Sequence, residues 1–125
     1  MIRQLKRYLA IRSYMHRLSR ELLQRYDKRS YYSVEMVTHA VQRGGLSTAF
    51  VAYAHAAFCS EQDFEAHYKP MHVACTYHGL RQTIAKRYFS GRSDFDAKAI
   101  ISRFCRISFD SDTFYESGIG TNIGQ

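Results

Sequence analysis

The stretch IRQLKRYLAIRSYMHRLSRELLQRY, from Ile2 to Tyr26, decides the fold class. It holds no glycine and no proline, the residues that most readily interrupt a helix. Tyr8, Ile11, Met15, Leu18, Leu22 and Tyr26 follow at spacings of 3, 4, 3, 4 and 4. At ~100° per residue these six side chains share an arc of about 80°, the mark of a helix that buries one stripe. Ile2, Leu5 and Leu9 fall on a neighbouring arc, so the apolar face rotates along the helix. Arg3, Lys6, Arg7, Arg17, Arg20 and Arg25 take the opposite side, while Arg12 lies near the early leucines. The spacing predicts a basic amphipathic helix over about 2–26, with its stripe in a core rather than on a membrane surface.

Downstream the pattern stays helical. Ser33 is a candidate N-cap for a second helix faced by Val34, Val37 and Val41, and Gly44-Gly45 stops it. Ser47 would cap a third helix from Thr48 to about Phe58, apolar nearly all round and therefore central. Ser60-Glu61-Gln62-Asp63 has capping-box form and opens a fourth helix, which ends before Pro70. A fifth is expected from about Met71 to Phe89, striped by Val73, Tyr77, Leu80, Ile84 and Tyr88, with Gly79 as a kink point. Ser93-Asp94-Phe95-Asp96 starts a sixth, carrying Ala97, Ile100, Ile101 and Phe104 inward. Phe104 to Phe109 alternates enough for a short strand, and residues 117–125, with three glycines and no periodicity, read as a tail. The expected fold is all-α: an irregular bundle of five to six helices with a short irregular C-terminal tail, one domain over 1–116 with no internal repeat.

Composition agrees. The chain has 125 residues, enough for one core, and 14% aromatic content argues against whole-chain disorder. One proline and seven glycines leave few breaks, which favours helices over a many-stranded sandwich. Charges at Arg3, Lys6, Arg7 and Arg12 interrupt any secretory apolar core, and the run Gly44 to Ser60 is shorter than the ~20 residues of a membrane span. Residues 1–20 loosely fit a mitochondrial transit peptide, but the helical pattern continues past Glu21. Three cysteines at no zinc-finger spacing read as reduced thiols in a soluble cytoplasmic protein.

The charge is placed unevenly. Residues 1–32 hold nine bases and two acids, whereas the other 93 hold nine of each, so the first segment carries the whole net charge of +7. Such asymmetry calls for an anionic partner: an acidic protein surface, nonspecific nucleic acid, or less readily a membrane. The competing reading is a solvated face that keeps the protein dispersed. Sequence-specific DNA reading is not expected, because the helix after the Gly-Gly turn has no Lys or Arg to reach bases or phosphates. A homodimer is a further candidate assembly.

Catalytic chemistry finds less support. His72, Cys75 and His78 recur every three residues, and His55 and Cys59 sit one turn apart. Imidazole and thiolate hold zinc, which makes these five the candidate metal ligands of a small metal-binding or thiol-dependent enzyme. Yet three helical residues at that spacing fan over about 120°, too wide for one ion. His55 and Cys59 also lie on the most apolar helix, where burial makes a thiol inert. Glu35/His39 and Asp63/His67 are i,i+4 pairs, best read as surface ion pairing. There is no Gly-x-Ser-x-Gly elbow, and Gly118 to Asn122 lacks the lysine and following helix of a phosphate loop. No catalytic residue and no cofactor is assigned. The favoured function is a non-enzymatic interaction module that engages an acidic partner through Arg3, Lys6, Arg7, Arg17, Arg20 and Arg25.

Overall fold

Three helical segments run on without a break through the N-terminal stretch: α1 (Ile2–Ser13), a π-helical turn (Tyr14–Leu18) and α2 (Ser19–Tyr26). The remaining helices are α3 (Val34–Arg43), α4 (Val51–Phe58), α5 (Glu61–Tyr68), α6 (Tyr77–Tyr88) and α7 (Ala97–Phe104). The computed structural model describes residues 2–105, and these form an all-α bundle with no strand among them. The expected tail, and all but the start of the expected strand after Phe104, lie outside the described residues.

The π turn widens the face that the rod buries. Ser19 N–H reaches back five residues to the Tyr14 carbonyl. In an α-helix that N–H would serve Met15; here the Ser19 hydroxyl donates to the Met15 carbonyl at 2.5 Å instead. Ala10, Ile11, Tyr14, Met15, Leu18, Ser19 and Leu22 are all buried as a result, more than a strict 3.6-residue stripe would place there. Ile2, Leu5 and Leu9 do not join them and stay 69%, 56% and 46% exposed. At ~100° per residue their arc points almost opposite to that of Ala10, Ile11, Tyr14 and Met15.

The body packs on this rod. α2 lies against α3 and α7, and α4 lies against α3, α5 and α6. α4 is the central helix: Ala54 to Phe58 are buried without interruption. Its alanines let neighbouring backbones come close. Main-chain bonds tie the loop after α2 to the core, Tyr32 N–H to the Phe58 carbonyl at 2.8 Å and Ala97 N–H to the Ser30 carbonyl at 2.9 Å.

Three boundaries differ from the sequence reading. α4 begins at Val51 rather than Thr48. The Tyr14 phenol donates to the Ser47 carbonyl at 2.5 Å, occupying the acceptor that a helix capped by Ser47 would use. α6 begins at Tyr77 rather than Met71: Met71 and Val73 are exposed, and His72 holds the left-handed conformation at φ 54°, so no apolar face exists there to drive a helix. Thr76 caps it instead, accepting the Gly79 N–H at 3.0 Å, which places Gly79 in the first turn rather than at a mid-helix kink. α7 is capped by Asp96, three residues after Ser93. The caps read at Ser33 and Ser60 stand as expected, accepting from Met36 N–H at 3.1 Å and Asp63 N–H at 3.2 Å.

Arg81 is the one charged side chain among the buried described residues. It forms no ion pair among the described residues. Its guanidinium donates to the carbonyls of Ala56 (2.9 Å), Ser93 (3.1 Å) and Phe95, and it lies over the rings of Phe95 and Tyr77 at 4.1 and 5.0 Å. Carbonyl acceptors and aromatic faces replace hydration, which is what allows a buried cation to persist.

Candidate functional site

The rod displays the six predicted bases on its solvent side. Arg3, Lys6, Arg7, Arg17, Arg20 and Arg25 are all exposed. Among the described residues Arg29 pairs with Asp27 at 3.0 Å and His78 with Glu61 at 3.2 Å, and none of the six is paired with an acid there. Among the described residues Arg17 alone of the six makes a structural bond, donating to the Gly44 carbonyl at 3.1 Å where α3 ends. A cation at that end also complements the helix dipole. Arg12, off the basic side, joins Arg20 in holding the His16 imidazolium back: burial lowers the pKa of His16 first, and the two arginines lower it further.

A second polar feature lies at the α3–α5 side. Ser33, Val34, Glu35, Asp63, Ala66 and His67 line an open cleft of about 290 Å³. The two i,i+4 pairs read from the sequence thus contribute Glu35, Asp63 and His67 to one place, while His39 lies apart with Gln42 and Arg43. His55 packs behind the cleft, with its ring 5.4 Å from that of His67. His55 is fully engaged: Nε2 is 2.9 Å from Thr38 Oγ1 and Nδ1 is 2.5 Å from Tyr68 Oη. Burial, then the neighbouring His67, push its pKa down to about 4, so it is neutral at physiological pH. Tyr68 and Thr38 were invisible to motif reading. Their only signal was a histidine on an otherwise apolar helix, which must find partners when buried.

The His and Cys set is dispersed. Cys59 is buried and its thiol is pushed up to about 12, chiefly by desolvation, so it stays protonated at neutral pH. His72 and Cys75 lie in the segment before α6 rather than on it, and His78 points to Glu61. Among the described residues no three of His, Cys, Asp and Glu are grouped to hold a metal ion. No helix there is long and apolar enough to cross a membrane.

The described residues form a small all-α bundle whose N-terminal rod displays six exposed bases without an ion pair among those residues. The chain belongs to a family of unknown function, DUF6559, whose model matches residues 2–121. No curated protein and no solved structure matches it.

Proposed function

We propose that the protein is a non-enzymatic interaction module that binds an acidic polypeptide through the exposed bases of the α1–α2 rod. The observation that carries this reading is that none of Arg3, Lys6, Arg7, Arg17, Arg20 and Arg25 meets a carboxylate among the described residues. Unpaired surface cations keep their attraction for an outside anion, and that attraction is long-ranged and screened by salt. Among the described residues five of the six carry no structural bond, and Arg17 is partly committed to the fold. The rod is helical without a break from Ile2 to Tyr26, so its charges are presented on a helix rather than on a loop.

A second reading, peripheral membrane binding, draws on a separate observation. Ile2, Leu5 and Leu9 form an exposed apolar stripe beside Lys6 and Arg12, the composition of a surface-seeking helix. The unpaired thiols of Cys59, Cys75 and Cys105 suit a reducing, cytoplasmic setting for either role.

Titration of the full chain with poly-L-glutamate tests the first reading. Saturable binding that weakens as salt rises is expected, and no binding at low salt contradicts it. Parallel titrations with duplex DNA and with vesicles containing phosphatidylserine identify the anion class. Tighter binding to vesicles than to polyglutamate, lost on Leu5→Asn with Leu9→Asn, favours the membrane.

A further inference from the structure

The end of α6, the loop after it and α7 line a second cleft, of about 410 Å³. That is the size of a small-ligand site, and its lining shares no residue with the rod or with the α3–α5 cleft. Its wall is aromatic. Phe89 and Phe95 stack with centroids 4.6 Å apart and planes 11° apart, and Tyr88 lines the cleft with them. Buried Arg81 fixes the stack, lying over Phe95 at 4.1 Å and donating to the carbonyls of Ser93 and Phe95.

Charge meets the rings in the same cleft. Arg92, Asp94 and Arg103 all line it, and all three are exposed. Two cations and a carboxylate in one cleft ordinarily neutralise one another, yet none of the three forms an ion pair among the described residues. Arg103 is also loosely held. Its guanidinium lies 5.8 Å from the Phe89 ring and 5.6 Å from the Phe104 ring, near the ~6 Å limit of cation–π attraction.

Ser90 adds a hydroxyl at a cost in backbone strain. It holds φ 56°, followed by Gly91 at φ 83°, and Gly91 N–H closes the end of α6 on the Ala85 carbonyl at 2.9 Å. Glycine ordinarily fills the first left-handed position after a helix, because a side chain is disfavoured there. Here a serine fills it, and that serine lines the cleft. A residue held against its local preference beside a cleft points to a role in that cleft.

We propose that this cleft binds a nucleoside 5′-phosphate. The base stacks against Tyr88 and Phe89, and the phosphate takes Arg92, Arg103 and the Ser90 hydroxyl. Ring stacking is tolerant of base identity, and guanidinium forks match phosphate oxygens. Asp94 makes a ribose the better fit than a simple aromatic acid, because a carboxylate in the site needs a ligand that also donates, and the ribose hydroxyls do so. The site stands independently of the acidic-polypeptide reading. A free nucleotide and the 5′-phosphorylated end of a single strand share this chemistry.

Calorimetric titration of the full chain with AMP, GMP, CMP and UMP tests the site, beside adenosine and inorganic phosphate. Saturable binding of at least one nucleotide below ~1 mM is expected, with adenosine and phosphate each at least ~10-fold weaker. Arg92→Gln with Arg103→Gln should weaken the nucleotide at least ~10-fold with circular dichroism unchanged. Arg92→Gln alone, at a side chain with no hydrogen bond or ion pair among the described residues, should weaken it several-fold and serves if the double variant fails to fold. Ser90→Gly separates a binding role from a structural one: it should raise the thermal midpoint by ~3 °C while weakening the nucleotide. Arg20→Glu with Arg25→Glu, on the rod, should leave nucleotide affinity unchanged. A 5′-phosphorylated tetranucleotide that binds more tightly than the nucleotide, and is weakened by the same variants, identifies a strand end as the source; equal or weaker binding identifies the free nucleotide. Four results overturn the proposal: no nucleotide bound at ~1 mM, phosphate or adenosine bound as tightly as the nucleotide, affinity unmoved by the folded arginine variants, or affinity lost with the rod variant instead.

Discussion

His55 Nδ1 and Tyr68 Oη sit 2.5 Å apart inside the protein, joining the central helix α4 to the end of α5. Thr38 of α3 holds the other ring nitrogen. A neutral imidazole satisfies both contacts with one N–H and one lone pair, whereas an imidazolium has no acceptor left for Tyr68 or Thr38 to donate to. The relationship ties stability to pH. The His55 pKa falls from an ordinary 6.5 to about 4 in the fold. Between those values the unfolded chain binds a proton that the folded chain refuses, so stability rises with pH. The contribution is intact above about pH 6.5 and is lost progressively toward about pH 4, by roughly 3 kcal/mol in all. Urea unfolding midpoints at several pH values check this. His55→Gln should lower stability at pH 7 and flatten the slope between pH 6.5 and 4; an equally steep slope in the variant would refute the assignment.

Arg81 should be intolerant of change despite being a charged residue. Arg81→Met leaves the carbonyls of Ala56, Ser93 and Phe95 without the donor they share. Unsatisfied buried acceptors cost about 1–3 kcal/mol each, so a loss of roughly 3 kcal/mol or more is expected in chemical denaturation. Arg81→Lys retains the charge but not the planar fork or the ring stacking, and should recover less than half of that loss. A change below about 1 kcal/mol for Arg81→Met would contradict the account.

Gly79→Ala offers a sign test. An exposed helical glycine replaced by alanine ordinarily gains up to about 1 kcal/mol. Here an added Cβ would lie 2.7 Å from Thr76 Oγ1, the atom that caps α6. Moving that hydroxyl sacrifices the cap, worth about 1 kcal/mol, so the substitution should be neutral or destabilising in the native sequence. In a Thr76→Ala background, with no hydroxyl to displace, the same substitution should stabilise. A double-mutant cycle of thermal midpoints measures the coupling.

Much of this fold was legible from residue spacing. The 3-4 periodicity from Ile11 to Leu22 marked a buried stripe, and the Ser33 and Ser60 caps were read at their true positions. The π turn was not legible, because its cause is tertiary: Tyr14, Met15, Leu18 and Ser19 are all drawn inward at once. The start of α6 was misplaced because Val73 fits the helical stripe in register yet is exposed rather than buried in the core. The same blindness affected Ile2, Leu5 and Leu9, which periodicity alone cannot assign to core or solvent. The cationic positions were legible from composition; that none of them forms an ion pair with an acid among the described residues, Glu21 included, was not.

The two apolar faces of the rod differ in energetic weight. Leu18 is fully buried, so Leu18→Ala should cost about 2–5 kcal/mol. Leu5→Asn faces solvent among the described residues, where surface substitutions away from special features usually shift stability within about 0.5 kcal/mol. Denaturant midpoints of the two variants measured side by side give the comparison.

The cationic rod is most directly tested by charge reversal at Arg20 and Arg25, two exposed positions without a structural bond among the described residues. Polyglutamate affinity would be measured for the native chain and for Arg20→Glu with Arg25→Glu, at roughly 0.05 M and roughly 0.5 M salt. We expect the native chain to bind at low salt and to weaken strongly at high salt, and the reversed chain to bind roughly tenfold or more weakly at low salt with its fold intact. Equal low-salt affinities for a folded native and a folded reversed chain would contradict the role assigned to the rod.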